Sequence, residues 1–486
     1  LTMTDGRGKT TRYGYGAFGL LRNMTDADDR TMSYSYDLSG NTAAMADRNG
    51  NLTLFIYDNR NMLTEKLSAN TGESIAYGYD TAGNRTAMQD ESGSYTYAYD
   101  KNDRITEIRK GGALQLTYTY DATGSIETVT DSKGFTTEYS YDKSGRMETV
   151  TFDGKTTTYA YETNGNRRLI TYDGGVKEEY SYDRNNRLLT LSNKKSNGTV
   201  LSQYSYTYDI TGKETSKTDS YGTTNYTYDK AGRITKVEAP GKKTVYSYDN
   251  AGNRLSLLES YTSNQSSGFV DGDSGEAIEY IVKTSQYFYS NTNQLLKLLE
   301  EMSDSSAKVL LEKTTDYLYD ENGNQLAETT SFLRPTGGTL KRAIRGSVHG
   351  ESQPTAPDAL IERTNNTFDD FNRLKAVEKI EDGIRTSVEY TYNGDDLRTR
   401  KVVKSSDNNY TPETTSFLYD RQHVILETDE AGTVKTRYVW GINYIAQVNT
   451  TEDPTYFLFN GHGDTVQTIT STGDIQNQYD YDIFGN

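Results

Sequence analysis

Residues Thr130 to Val150 read T-D-S-K-G-F-T-T-E-Y-S-Y-D-K-S-G-R-M-E-T-V, and this stretch decides the fold. In Asp142-Lys143-Ser144-Gly145, aspartate takes the first position of a turn and glycine the fourth, the preference of a type I turn. The aspartate carboxylate accepts hydrogen bonds from the backbone ahead of it. Glycine takes the positive φ that closes such a loop with a bulge. Asp131-Ser132-Lys133-Gly134 repeats the spacing half a unit earlier, as do Asp5 to Gly8, Asp47 to Gly50 and Asp219 to Gly222. Between the turns, threonine and tyrosine dominate. Tyr139 and Tyr141 alternate with serine, so both point to one face of a strand. After the glycine, apolar residues come three apart, as in Met147 and Val150 or Ile234 and Val237. Strict alternation does not give that spacing, which predicts a bulge or a strongly twisted strand.

The same unit recurs along the chain. Its second aromatic falls at Tyr15, Tyr36, Tyr57, Tyr79, Tyr99, Tyr120, Tyr141, Tyr161, Tyr182, Tyr208, Tyr228 and Tyr248, the first nine of them 20 to 22 residues apart. Irregular spacing follows at Tyr289, Tyr319, Phe368, Tyr392, Tyr419 and Tyr481. A fixed period of this size identifies a stacked array, whose units bury their apolar face only against their neighbours. About 18 copies of two strands at ~4.8 Å extend ~170 Å, and a sheet that long curls, splits or stacks. The expected fold is all-β: tandem repeats forming a long antiparallel ribbon that coils into a curved or spiral shell wall. Residues 1–262 read as the regular array and 263–366 as irregular repeats with two polar insertions. Residues 367–486 read as a terminal part. The insertions run from Ser263 to Glu279 and from Phe332 to Ile361. Residues Gln294 to Glu300 suit either a helical turn or a longer strand.

Composition agrees with a thin wall. Apolar residues make up 33% of the chain with tyrosine counted, and tyrosine alone accounts for 42 of 486 residues. Disorder depletes aromatics, but here they reach 12%. The net charge of −17 disfavours nucleic acid, since an acidic surface repels a phosphate backbone. No apolar run is long enough to span a membrane. Without cysteine there is no disulfide staple or thiolate metal site. The chain starts at Leu1 in mid-pattern and reads as a segment of something longer.

Nothing in the sequence assembles chemistry. His349, His423 and His462 stand alone, without a second histidine at metal-ligand spacing. His462 and Asp464 flank Gly463, but no nucleophile-elbow serine lies nearby, and a turn accounts for them. Asp271, Asp273 and Glu276 read as solvated charge. No catalytic, cofactor-binding or metal-ligating residue is assigned. The residues singled out are structural and repeat the same triplet: Tyr36, Asp37 and Gly40; Tyr79, Asp80 and Gly83; Tyr120, Asp121 and Gly124; Tyr141, Asp142 and Gly145. The later ones are Tyr228, Asp229 and Gly232; Tyr248, Asp249 and Gly252; Tyr319, Asp320 and Gly323; Tyr481, Asp482 and Gly485.

The recurrent Y-x-Y-D-x-x-G-[NR] resembles the tyrosine–aspartate repeat of the Rhs family, shared with insecticidal toxin-complex shell proteins and teneurins. Gly78 to Arg85, Tyr226 to Arg233 and Tyr246 to Arg254 carry it most strongly. Tyr438-Val439-Trp440-Gly441, Tyr456 to Asp464 and Tyr479 to Asn486 resemble the approach to the end of the Rhs core. The resemblance implies a non-catalytic shell segment of a secreted Rhs-type toxin, truncated before the family's self-cleavage segment. Its partner would be the protein's own C-terminal toxin domain, which the shell would enclose and deliver. The alternative is a cell-surface, carbohydrate-binding adhesin whose tyrosines meet glycans. Either reading places the protein outside the cell or at the bacterial surface, with no cofactor, no nucleic acid and no transmembrane segment.

Overall fold

The computed structural model describes residues 1–261, 267–270, 277–280, 282–304, 306–333, 360–381, 383–407, 410–449, 453–482 and 484–485. Forty of the described strands join in one antiparallel sheet in which chain neighbours pair. Among the described residues the only helical segments are two three-residue 3-10 turns, Ala17–Gly19 and Asp173–Gly175.

The hairpin around Asp142 shows how the sequence makes this sheet. The Gly145 amide donates to the Asp142 carbonyl at 2.9 Å, and the Asp142 amide donates to the Arg146 carbonyl at 2.8 Å. Gly145 sits at φ +73°, where a side chain would be strained. Beyond the turn, Tyr141 pairs with Met147 while Ser140 pairs with Thr149, so Glu148 is an extra, bulged residue. The bulge shifts the alternation by one position. Met147 and Val150, three apart, therefore both join the tyrosine face, as their spacing predicts. The same step stands beside Tyr36, Tyr79, Tyr120, Tyr228, Tyr248 and Tyr319. On the other face, hydroxyls pair across strands, as Ser140 with Thr149 at 2.7 Å and Ser181 with Thr190 at 2.6 Å.

The irregular middle resolves in part. Leu295–Ser303 is a strand, which settles the ambiguous stretch against a helical turn. Within the first insertion, Ser267–Val270 pairs with Ala277–Tyr280 as a separate two-stranded ribbon, so its Gly-Phe-Val and Ala-Ile-Glu-Tyr segments follow strand composition. Asp271, Asp273 and Glu276 lie outside the described residues, as do His349 and most of the second insertion. Its flanks are closed by pairing of Phe332 with Leu360.

Two compact units form. The first comprises Leu1–Ser74, Thr224–Tyr390 and Val403–Pro412; the second comprises Ile75–Thr223, Thr391–Val402 and Glu413–Asn486. Each brings early repeats against late ones. In the first unit, Arg7 donates to the Ser290 carbonyl at 2.8 Å, Asn322 to Asp47 at 2.7 Å, and Arg373 to Glu73 at 2.6 Å. In the second, the Gly394 amide donates to Asp90 at 2.6 Å, and Asn193 donates to the Phe459 carbonyl at 3.2 Å. Arg437 pairs with Asp131 at 2.9 Å. The half-period turns of early repeats are thus the docking edge. Asp26, Asp47, Asp90 and Asp131 are only 4–8% exposed. The side chain of Asp142, in a tyrosine–aspartate turn, stays 22% exposed.

The second unit holds a continuous core. Val150, Phe152, Tyr159, Ile170 and Leu191 pack with Val439, Ile445, Tyr456, Leu458 and Ile469. Tyrosine supplies much of this surface, which explains how a chain with so few aliphatic residues still buries a core.

Candidate functional site

The tyrosine–aspartate corner at Asp142 commits its carboxylate locally. One carboxylate oxygen of Asp142 accepts the amides of Ser144 (2.8 Å) and Arg146 (3.0 Å), and the other accepts Arg146 Nε at 2.7 Å. The guanidinium of Arg146 and these amides hold the carboxyl below its ordinary range. Asn performs the same task as Arg elsewhere: Asn84 donates to Asp80 at 3.0 Å, Asn253 to Asp249 at 2.8 Å and Asn324 to Asp320 at 2.8 Å. Asp37, Asp121 and Asp229 likewise take two amides each, from Ser39 and Asn41, Thr123 and Ser125, and Ala231 and Arg233. Asp482 takes that of Phe484. Gly40, Gly83, Gly124, Gly145, Gly232, Gly252, Gly323 and Gly485 lie between φ +73° and +98°.

The second tyrosine ties each repeat to the one before. Tyr36, Tyr120, Tyr141 and Tyr248 donate their hydroxyls to the carbonyls of Leu21, Ile105, Ile126 and Ile234 at 2.7–3.1 Å. Those carbonyls belong to the strand residue just past the preceding turn. Tyr79, Tyr228 and Tyr319 occupy the matching strand ends, and Tyr481 stands 36% exposed beside the last turn. These residues line up one repeat apart and do not converge on a pocket.

The residue closing the corner reaches forward, in one of two ways. Where it is arginine, the guanidinium covers the next tyrosine ring: Arg104 over Tyr120 at 4.3 Å, Arg146 over Tyr161 at 4.5 Å and Arg233 over Tyr248 at 4.8 Å. In these cases the next turn carries glycine at its left-handed position, at Gly124, Gly165 and Gly252. Where it is asparagine, the next turn carries Asn or Asp there instead. Asn41 donates to Asn61, Asn84 to Asp103, Asn166 to Asn186 and Asn324 to Asn372, at 2.9–3.0 Å. Those acceptors hold φ of +58° to +62°, a region that Asn and Asp tolerate better than other side chains. Arg373 departs from the pattern: it turns to Glu73, and Asp396 occupies the next left-handed position.

One corner buries a charge that sequence reading missed. The residue four places before the second tyrosine points into the core and is usually Thr or Ser, as at Thr53, Thr157, Thr244, Ser285 and Thr315. Ahead of Tyr182 it is Glu178, with 0% exposure. Its carboxylate accepts the hydroxyls of Tyr172, at 2.8 Å, and Tyr180. Arg167 lies over the Tyr180 ring at 4.5 Å. Burial raises the Glu178 pKa, against the opposing pull of Tyr180, Arg167 and Tyr172. Aligning the repeats by their tyrosines would have exposed the anomaly.

Among the described residues, His423 and His462 make no catalytic pair. His462 contacts Glu214 at 3.0 Å, and that hydrogen bond raises its pKa. Asp464 instead accepts Asn460 Nδ2 at 2.8 Å. His423 packs on Trp440 with ring centroids 4.3 Å apart. Among the described residues no cluster of three His, Asp or Glu side chains could hold a metal ion, and no helix is long and apolar enough to cross a membrane.

The Teneurin YD-shell family model matches residues 3–97, 84–192 and 133–254, which overlap and together span just over half of the chain. The chain belongs to the Teneurin YD-shell family. No curated protein matches this YD-shell chain in sequence. Its fold is that of solved toxin-complex shells. It matches the pore form of the Photorhabdus luminescens Tc holotoxin with a TM-score of 0.59 at 17% identity, over 98% of this chain and 26% of that one. The TcdB2-TccC3 crystal structure gives 0.58 at 17% identity, over 100% and 28%. The YD-shell chain thus spans less than a third of either structure's chain, and likeness at this identity establishes the fold alone.

Proposed function

We propose that this chain is a non-catalytic wall segment of a secreted Rhs-type toxin shell, enclosing a C-terminal effector carried by the full-length protein. The observation that supports this is the fate of the corner residues. Their polar atoms and rings are committed to their own turn, to the adjoining repeat or, as at Asp320 and Arg373, to a distant repeat of the same sheet, so the motif acts in architecture. Residues 1–262 supply regular wall, 263–366 wall with excursions, and 367–486 the terminal part. The adhesin reading needs open tyrosine faces. Tyr118, Tyr159, Tyr180, Tyr206 and Tyr246 are instead buried, and Tyr120, Tyr161 and Tyr248 lie under arginine.

Limited proteolysis of the full-length protein tests enclosure. The C-terminal domain is expected to survive protease for as long as the repeats remain folded, and to be cut once they are unfolded. Rapid digestion of that domain beside an intact repeat region would overturn the proposal.

A further inference from the structure

Within the second unit, strands from residues 85–131 and 391–428 border a cavity of about 840 Å³, inside the roughly 300–1,000 Å³ of small-ligand sites. Its charge is opposite to that of the chain. Arg85, Lys110, Lys133, Arg400 and Arg421 line it against only Glu91 and Asp395, in a protein of net charge −17. Arg85 and Asp395 neutralise each other through contacts of 2.5 and 2.7 Å. Arg400 approaches the exposed Glu430 at 3.7 Å. Among the described residues, Lys110, Lys133 and Arg421 have no carboxylate at ion-pair distance. The Asp420 carboxylate beside Arg421 accepts the Tyr118 hydroxyl at 2.9 Å.

The placement of these cations selects the ligand. Lys110 ends the strand Ile105–Lys110, and Lys133 sits in the turn after Ile126–Asp131, so two strand spacings separate their backbones, about 10 Å. Arg421 comes from a different turn, after Glu413–Asp420. Such separated charges suit an extended ligand with several anionic groups better than one compact ion. The wall rings are not open for neutral stacking: Lys110 covers Tyr95 at 5.2 Å and Arg85 covers Tyr97 at 4.9 Å. The lining also includes Gln115, Thr399, Ser416 and Thr428, which offer neutral hydrogen-bonding groups.

We propose that this cavity binds an acidic oligosaccharide. Lys110, Lys133 and Arg421 receive separate carboxylate or sulfate groups, and the neutral side chains receive sugar hydroxyls. This site stands independently of whether the shell encloses an effector.

Calorimetric titration of the whole chain at low salt tests it, with trigalacturonate and sulfated maltotriose as acidic probes and maltotriose and inorganic sulfate as controls. One acidic saccharide is expected to bind at least about tenfold more tightly than either control, with affinity falling as salt rises. The carboxylate and sulfate arms identify which anion is taken. The pair Lys133→Glu and Arg421→Glu, both exposed and so compatible with folding, is expected to abolish binding; Lys143→Glu, in a neighbouring exposed turn, is expected to leave it intact. No binding by either acidic saccharide would overturn the proposal, as would equal binding of maltotriose or of inorganic sulfate. Retention by the double variant, or tighter binding of an oligoglutamate peptide, would do so too.

Discussion

Replacing Glu178 with alanine is expected to cause one of the largest losses of stability available from a single side chain. The substitution removes the acceptor of two buried hydroxyls, on Tyr172 and Tyr180. Tyr172 retains the Phe457 carbonyl as an acceptor at 3.1 Å, but the Tyr180 hydroxyl is orphaned at a cost of about 1–3 kcal/mol, and the emptied volume adds to that. Glu178→Gln keeps the volume and one acceptor, so it is expected to be far milder. The two variants also separate by pH. Burial raises the folded-state pKa of Glu178 above its unfolded value. A carboxyl shifted upwards contributes stability that is fully present below the unfolded pKa and is lost as pH rises through the folded one. The wild-type melting temperature is therefore expected to carry a falling component above the ordinary carboxylate range. Glu178→Gln should lack that component and match or exceed the wild type at neutral pH. A flat difference between the two across pH 4 to 8, in melts of the full chain, would contradict a raised pKa.

Gly174→Ala is the second large effect, and Gly165→Ala is its control. Both glycines have positive φ, +81° and +94°. An L side chain there costs about 1–2 kcal/mol. Around Gly165 there is open space, whereas a Cβ on Gly174 would stand 2.1 Å from the Ser471 carbonyl oxygen. Because the obstacle is backbone, the early turn and the late segment must separate, which adds an overpacking cost of about 1–3 kcal/mol. Thermal melts should show Gly174→Ala well below Gly165→Ala. Equal melting temperatures would mean that the half-period edge does not bear on the late repeats.

The local structure was legible because it is local. Asp142, Gly145 and the tyrosine alternation carry their own geometry, and even the bulge at Glu148 was foreshadowed by the three-residue spacing of Met147 and Val150. Partnerships between distant repeats were not. Asp131 and Asp142 both open D-x-x-G turns, yet Asp131 is buried against Arg437, 306 residues away, and nothing within the turn distinguishes the two. Glu178 was masked by its surroundings, since K-E-E-Y-S-Y reads as an ordinary solvated strand until it is aligned with neighbouring repeats. The rule linking Asn84 to Asp103 was hidden for another reason. It joins the last residue of one motif to the fourth residue of the next D-x-x-G turn, and each choice alone looks like harmless variation at a turn.

That rule is also where the claim that the motif is architecture meets its most direct test. A double-mutant cycle on Asn84→Arg and Asp103→Gly would be read by chemical denaturation of the full chain. Asn84→Arg alone meets Asp103 where glycine belongs, and Asp103→Gly alone removes one of the two acceptors of the Asn84 amide, leaving Asp80. Together they rebuild the arginine–glycine corner seen at Arg146 and Gly165, with the new guanidinium free to cover Tyr99. The double variant is expected to recover stability lost in the singles, with a coupling of about 1 kcal/mol, within the range for residues in contact. Additivity within about 0.5 kcal/mol would contradict it, because successive corners would then be independent turns and the motif would not hold the wall together.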